Sequence, residues 1–336
     1  MSLKIQSISP NQLQEFYDNF EGVKTFLQTP NFGNFREQLG EKNLRFGVFE
    51  GNTIVGIAQC QKISARRGTF LHVAHGPLIL NSPPFEEELE GVLEFFLKEI
   101  KTIGRQEQCD FVRISPLLNN KCVQCFKKNN YRPAPLHINP NRTWVLDLTQ
   151  SEDDLLKNMR KSTRYEVRRI EKSGIKTTQG QDLETFWKLH SKTAARQKFV
   201  PFSRKSTELE MEVFKNDCQM FSASLEGEPF ASSVILYDKH AGYYHQGASV
   251  LHKLPFAHAT LWAAILEAKK RGCTEFNFWG VSPEENKDHP WTGLSRFKRG
   301  FGGEEQLFLE AQDSPLTKKY WINFAVEKYR KWKRHY

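Results

Sequence analysis

Residues 243–279 read YYHQGASVLHKLPFAHATLWAAILEAKKRGCTEFNFW and decide the fold of the second half of the chain. Tyr243 to Val250 is predicted to be a strand, Pro255 to Arg271 a helix, and Thr274 to Trp279 a second strand. A strand, a helix and a strand in this order are typical of a mixed α/β domain.

The first half of the chain repeats this order. Phe70 to Leu80, Pro84 to Ile103 and Cys109 to Pro116 are predicted to form a strand, a helix and a strand, and a hairpin precedes each copy. The distance between equivalent pieces is about 165 to 175 residues, too long for a solenoid and suited to two copies of one α/β domain. We place the first domain at residues 1–141 and the second at 142–314, after a proline-rich stretch.

Composition is that of a globular protein, with 336 residues of which 39% are apolar. No apolar run is long enough to span a bilayer and no signal segment opens the sequence, so we expect a cytoplasmic protein. Six cysteines without an export signal are expected to be reduced thiols. The Cys122-x-x-Cys125 pair has no second cysteine or histidine pair at zinc-ligand spacing, and His72 and His75 would point to opposite faces of a strand, so we expect no metal site.

Positive charge is in excess and unevenly placed. The formal charge is +9, which favours an anionic partner such as nucleic acid, a nucleotide or a membrane surface. Ser151 to Ser173 is predicted to be one long helix on which Arg160, Arg164 and Arg168 recur every fourth residue. We call these three residues the arginine face. A solvated cationic surface and a surface for a phosphate backbone both remain open.

A second basic stretch follows the last predicted strand of the duplicated unit. Thr292 to Gly303 contains four glycines, three cations and two phenylalanines, which indicates a glycine-rich loop that admits an anionic ligand. Arg196 to Lys205 is another basic and aromatic segment, for which an anion site and helix termination both stay open. The sequence has no Walker loop, dinucleotide fingerprint, nucleophile elbow or coenzyme A motif. Chemistry by positioning and electrostatics is therefore favoured over a covalent nucleophile.

Several of these stretches, taken in order, resemble one known family. The resembling segments are FLQTP at 26–30, WVLDL at 144–148, LLKNMRKSTRY at 155–165, YYHQGAS at 243–249, FNFWGV at 276–281 and FKRGFGG at 297–303. Together they resemble the Fem family of peptidoglycan bridge-forming aminoacyltransferases. The resemblance implies two tandem acetyltransferase-like (GNAT) domains, with the last helix, residues 315–336, packed back on the first.

The resemblance also implies an activity. Fem enzymes take an amino acid from aminoacyl-tRNA and join it to an amine on the peptide stem of a peptidoglycan precursor, UDP-MurNAc-pentapeptide or lipid II. No cofactor is implied, and we expect a monomer. The predicted helix at Ser206 to Lys215 runs almost directly into a hairpin at Gln219, which leaves no room for the coiled-coil arm of some members. This favours the soluble precursor, while peripheral contact of the basic C-terminus with anionic lipid stays open.

Individual roles follow from the motif match. Lys298 is expected to be catalytic by stabilising the developing oxyanion, with Phe297 beside it, although contact of Lys298 with a tRNA phosphate remains an alternative. Arg204 and Arg36 are expected to hold the diphosphate of the precursor, and Tyr244 to line the substrate site. The arginine face would contact tRNA. No residue is assigned as the catalytic base.

Two other functions fit the same residues. An N-acyltransferase with a different acyl donor would keep the fold and would bind coenzyme A or work without tRNA. A non-catalytic tRNA- or RNA-binding protein would use the arginine face and the basic C-terminus, and would show no dependence on a precursor.

Overall fold

The computed structural model describes residues 2–66, 68–80, 89–197 and 202–334. Two compact units divide the chain. The first contains the segment up to Asn141 together with the segment from Leu307 onward, and the second contains Arg142–Gln306. Each unit is built around its own mixed sheet.

The elements of the first unit before the boundary are β1 (Leu3–Ser7), α1 (Pro10–Asn19), α2 (Pro30–Gln38), β2 (Lys42–Glu50), β3 (Thr53–Ala65), β4 (Gly68–Ala74), β5 (Leu78–Ile79), α3 (Leu89–Gln106), β6 (Phe111–Ser115), α4 (Val123–Lys128) and β7 (Arg132–Pro133).

The second unit and the C-terminal segment contain β8 (Arg142–Asp147), α5 (Glu152–Asn158), α6 (Lys161–Arg169), β9 (Lys176–Gly180), α7 (Leu183–Gln197), α8 (Arg204–Phe214), β10 (Cys218–Leu225), β11 (Glu228–Tyr237), β12 (Ala241–Ser249), α9 (Phe256–Lys270), β13 (Glu275–Gly280), α10 (Thr292–Arg299), β14 (Glu304–Leu307), β15 (Gln312–Pro315) and α11 (Tyr320–Arg334).

The sheet of the first unit has the order β1-β2-β3-β4-β6-β15-β7, with β5 paired to β3. β4 and β6 are parallel, and α3 connects them. Phe96, Leu97 and Ile100 of α3 are fully buried in a cluster that includes Val73 and Val112 of these strands. Burying each such side chain stabilises the fold by about 1.5–3 kcal/mol. The predicted strand-helix-strand order is thus present, and residues 84–88 of the predicted helix lie outside the described residues.

The C-terminal segment belongs to this first sheet. The predicted second domain, residues 142–314, included most of β15. β15 pairs with β6, however, so this strand lies in the sheet of the first unit. Across this pairing the carboxylate of Asp313 accepts two hydrogen bonds from Arg113 of β6. Tyr320 of α11 packs its ring 5.3 Å from that of Phe111, which holds the helix against the sheet.

The sheet of the second unit has the order β14-β8-β13-β12-β11-β10-β9. β12 and β13 are parallel and α9 connects them, as residues 243–279 predicted. Leu261, Ala264, Ile265 and Ala268 recur at helical spacing on α9 and are fully buried in one cluster, which contains Phe276 of β13.

The single long helix predicted for residues 151–173 is wrong. α5 ends at Asn158, and Met159 and Arg160 adopt extended backbone with ψ of 148° and 140° before α6 begins. Met159 is buried, and the amide of Arg160 donates to the carbonyl of Gly300 at 2.9 Å. A hydrogen bond to a distant part of the chain therefore replaces the helical bond that the local pattern favours.

Candidate active site

The two parallel strands of the second unit separate along their length. Their pairing covers Ala241 with Glu275, Gly242 with Phe276 and Tyr243 with Asn277, and no further pair forms between these two fully described strands. β12 continues to Ser249 and β13 to Gly280. In the first unit, by contrast, β6 is paired with β4 over its whole length. Ligands in α/β sheets commonly bind where neighbouring strands part at their carboxyl ends.

Irregularities in both neighbouring pairings flank this opening. Between β11 and β12 the register shifts so that His245 has no opposite residue, and between β13 and β8 it shifts over Phe278 and Trp279. Trp279 has a φ of 66°, a left-handed conformation that is costly for a large side chain, and its amide is held by the Asn277 side chain at 2.8 Å. Such bulges re-aim side chains and carbonyls, here at the opening.

Lys298 joins the two strands at this opening. Lys298 was predicted to lie in a glycine-rich loop, but the structure places it on helix α10. The Nζ atom donates to the carbonyl of Gly280 at 2.7 Å and lies 5.7 Å from the centre of the Tyr244 ring. Only 5% of Lys298 is exposed. One ammonium group is therefore held between the end of β13 and the middle of β12.

Burial changes the charge state of this ammonium group. Removal from water lowers the pKa of Lys298 from 10.5 to about 7. Both the charged and the neutral form are then accessible near neutral pH. A charge held in so dry a place interacts strongly with any charge that develops next to it.

The lowered pKa predicts a pH dependence of stability. The unfolded chain retains the Lys298 proton up to about pH 10.5, whereas the folded chain loses it near pH 7, so stability rises with pH above 7. Between pH 6 and pH 9 the gain amounts to about 2.7 kcal/mol. Lys298→Met has no ammonium group to titrate at this position, so it should not show this gain in stability. Urea denaturation of both proteins at the two pH values measures the difference, and parallel pH profiles would contradict a buried titrating lysine.

Tyr244 is fixed at its hydroxyl end. The hydroxyl is hydrogen-bonded to Ser233, whose Oγ lies 2.8 Å from Thr260 Oγ1 on α9. Burial raises the pKa of Tyr244 to about 12, so the phenol stays neutral. A Cβ at Gly247 would lie 1.9 Å from the Tyr244 hydroxyl, so only glycine allows the ring to lie where it does. The structure thus brings Tyr244 to Lys298, two of the residues singled out from the sequence.

Phe297 precedes Lys298 on α10 and packs inside the second unit. Its half-buried ring lies 5.0 Å from His258 and 5.5 Å from Phe301. Burial lowers the pKa of His258 to about 4, so this imidazole is neutral at physiological pH. The aromatic cluster anchors the helix that carries Lys298.

The glycines after α10 shape the backbone. Gly303 has a φ of 93°, and a Cβ there would lie 2.3 Å from the carbonyl oxygen of Val145 on β8. The close approach allows the Trp144 indole to donate to the Gly302 carbonyl at 2.6 Å. These contacts attach the end of the segment to the strand next to β13.

The other cations predicted for substrate binding are held by carboxylates. Arg204 begins α8, is partly exposed, and pairs with Glu184 and Glu208. Arg36 lies on α2 of the first unit and is paired with Glu41. Among the contacts of the described residues, Arg204 touches neither Lys298 nor Tyr244. Their assignment to a diphosphate therefore stays a prediction.

The arginine face is only partly a face. Arg160 lies at the cap before α6 and donates to the Arg296 carbonyl at 3.4 Å, while Arg164 donates to the Lys157 carbonyl at 2.8 Å. Arg168 follows Arg164 by one turn of α6 and is exposed. Tyr165 between them is 63% exposed. Because Arg160 has extended backbone and lies outside α6, only Arg164 and Arg168 share one helical surface.

A buried acid next to the opening was missed by sequence reasoning. Glu210 on α8 is 3% exposed, and its carboxylate lies 3.0 Å from Nε2 of His245 on β12. Its other oxygen accepts from Gln246 Nε2 at 3.4 Å, and the ring of Phe202 stacks on His245 at 6.0 Å. The YYHQGAS motif marked His245, but no pattern on α8 marks Glu210, since it contacts the strand from a separate helix.

No group of three or more histidine, cysteine or acidic side chains could hold a metal ion among the described residues. None of the helices in the described part of the chain combines the length and apolar character needed to cross a membrane.

Comparison with known proteins gives two family-model matches and a full-length structural match. Residues 8–135 match the model of the FemAB family, and residues 157–299 match that of the acetyltransferase (GNAT) domain. The crystal structure of FemX superposes with a TM-score of 0.83 at 17% identity, covering 96% of this chain and 100% of the FemX chain. The N-terminal part of the chain is thus similar to the FemAB family, and the chain has the fold of FemX. None of the curated protein sequences compared with it matches.

Other solved structures share the fold of this chain. L-PGS from Bacillus licheniformis has a TM-score of 0.56 at 15% identity, covering 96% of this chain and 97% of its own. A tandem GNAT protein from the clavulanic acid biosynthesis pathway has a TM-score of 0.56 at 9% identity, covering 94% and 98%. The predicted mixed α/β class with GNAT-type domains is confirmed. Only Lys215–Asp217 separates α8 from β10, so no arm is inserted there.

Proposed function

We propose that this protein transfers an amino acid from aminoacyl-tRNA to an amine on the peptide stem of a peptidoglycan precursor, UDP-MurNAc-pentapeptide or lipid II. The match of residues 8–135 to the FemAB family and the FemX fold support an aminoacyltransferase. The observation that carries the proposal is Lys298, a buried ammonium group where β12 and β13 separate.

The reaction needs a positive charge from the protein more than it needs a nucleophilic side chain. The acceptor amine attacks the ester carbonyl, a C–N bond forms, and the carbonyl oxygen becomes an oxyanion. The C–O bond to the tRNA ribose then breaks, and the ribose oxygen takes up the proton released by the amine. In our proposal Lys298 stabilises the oxyanion from its dry position, and the neutral hydroxyl of Tyr244 keeps the aromatic wall beside it in place.

Both substrates are polyanions. Arg164 and Arg168 on α6 offer two cations one helical turn apart for the tRNA backbone, with the exposed ring of Tyr165 between them. Arg204 and Arg36 would bind the diphosphate of the precursor by exchanging their carboxylate partners for phosphate oxygens. Such an exchange is feasible for Arg204, because its ion pairs are exposed and exposed ion pairs contribute little to stability.

A second candidate is an N-acyltransferase that uses another acyl donor. The match of residues 157–299 to a GNAT domain favours it, since the segment contains the opening and Lys298. The same ammonium group would then stabilise the oxyanion formed from a thioester. A non-catalytic RNA-binding role would not explain why Lys298 is buried.

The test is to identify the product. The protein is incubated with mixed aminoacyl-tRNAs in two reactions, one containing UDP-MurNAc-pentapeptide and the other lipid II. The mass of each precursor is then measured by mass spectrometry. We expect one precursor to gain the mass of one aminoacyl residue, which also identifies the amino acid. A precursor of unchanged mass in both reactions would contradict the proposal.

A further inference from the structure

An apolar face of the C-terminal helix is left uncovered. α11 packs on the first sheet through Tyr320, which is fully buried, and Asn323, which is 7% exposed. The opposite side carries large apolar side chains in water. This outer face consists of Trp321, Ile322, Ala325, Tyr329 and Trp332.

The residues of the outer face form one continuous stripe. Positions 321, 325, 329 and 332 follow one another at intervals of three or four residues, so they lie along a single side of the helix. Trp332 is 74% exposed, Ile322 60% and Tyr329 58%. A soluble domain rarely exposes so many large apolar side chains together unless they bind something.

Cations flank the stripe, and the acidic side chain of the helix points away from it. Lys328 and Lys333 border the outer face on its two sides, and Arg132 lies 4.5 Å from the ring of Trp321. The one carboxylate of α11, Glu327, turns inward to Arg113 at 2.8 Å. The outward side is therefore both aromatic and positively charged.

This combination indicates the surface of an anionic membrane. Amphipathic helices that lie in the interface insert Trp, aliphatic and Tyr side chains at headgroup depth, while flanking lysines contact anionic lipid. RNA explains the face less well. Bases stack on aromatic rings lining a groove, whereas this face is the convex side of a helix and its Ile322 offers nothing to a base.

We propose that α11 docks the protein on anionic membranes through its outer face. The docking requires no membrane-spanning segment and no precursor. It stands apart from the proposed transfer reaction, because every residue of the outer face lies outside the Lys298 site.

The experiment uses the full chain and vesicles. Co-sedimentation is measured with vesicles of phosphatidylcholine alone and of phosphatidylcholine mixed with phosphatidylglycerol. We expect binding to the mixed vesicles that weakens with salt, and little binding to the neutral ones. Substituting Trp332→Ala together with Ile322→Ala should weaken binding at least about tenfold. Substituting Lys328→Glu together with Lys333→Glu should weaken it by at least about 25-fold, because two cations are lost and two anions are added.

Matched controls separate the face from general surface effects. Leu251→Ala removes an apolar side chain that is 83% exposed in the second unit, and Lys127→Glu reverses an exposed lysine on α4. Both should bind vesicles like the wild type. Wild-type binding by the two double variants would overturn the proposal. So would a loss of tRNA binding in a gel-shift assay without a loss of vesicle binding, since that outcome identifies an RNA surface.

Failure here is distinguishable from failure of the proposed function. Transfer to the soluble UDP-MurNAc-pentapeptide, or its absence, should be the same in the α11 variants and the wild type. Vesicle binding is measured with no precursor present. Each proposal can therefore fail without the other.

Discussion

Lys298→Met lowers the rate of aminoacyl transfer by about 10²–10³-fold at neutral pH if the ammonium group stabilises the oxyanion. Methionine matches the length of the lysine stem and suits a buried site beside Tyr244 and Gly280. The variant should therefore fold, while the positive charge is lost. Single-turnover transfer with saturating substrates measures the chemical step, and circular dichroism checks the fold.

A matched control lies on the same helix. Arg296→Met removes an exposed cation from α10 and leaves the buried site untouched. It should stay within a few-fold of the wild type. Equal losses in the two variants would assign the effect to the overall charge of the helix, and undiminished turnover in Lys298→Met would remove the role given to this residue.

Arg113→Met destabilises the first unit by about 3–5 kcal/mol. Arg113 donates to both oxygens of Asp313 at 2.7 Å and to Glu327 at 2.8 Å, and the side chains of Arg113 and Asp313 are 1% and 0% exposed. Burial raises the pKa of Asp313 while Arg113 opposes this shift. Without the arginine, a carboxylate is left in the core with no opposite charge.

The loss should be measured by urea denaturation and compared with two further variants. Arg105→Met removes an exposed arginine from the same unit and should change the free energy of unfolding little. Adding Asp313→Asn to Arg113→Met removes the buried charge and should recover part of the loss, since Tyr320 can still donate to the amide oxygen. A loss below about 1 kcal/mol in Arg113→Met would contradict the buried ion pair as the anchor of α11.

The elements that depend on local pattern could be predicted from the sequence. β12, α9 and β13 lie where residues 243–279 placed them, because alternation and helical spacing are properties of neighbouring residues. The helix α10 was missed because Gly293 lies in its first turn and Gly300 directly follows its last residue, and these glycines hide the helical period of Leu294 and Phe297. The segment was recognised as a site, but its secondary structure was not.

Features set by distant contacts could not be predicted. Leu156, Met159 and Val167 keep helical spacing across the break at Arg160, so the local pattern does not reveal it. The break accompanies a hydrogen bond from the Arg160 amide to the carbonyl of Gly300, which is distant in the sequence. Arg113 gives no local sign of burial, and its partner Asp313 lies 200 residues away. Lys298 was chosen by resemblance to a motif, and its lowered pKa follows from packing that no motif describes.

In the proposed reaction the acyl group comes from tRNA. The most direct measurement supplies two donors in one reaction with a peptidoglycan precursor, aminoacyl-tRNA labelled in its amino acid and acetyl-coenzyme A labelled in its acetyl group. We expect that only the amino acid label enters the precursor, that ribonuclease treatment of the tRNA abolishes this transfer, and that Lys298→Met slows it. Transfer of the acetyl label, unaffected by ribonuclease, would exclude tRNA as the donor.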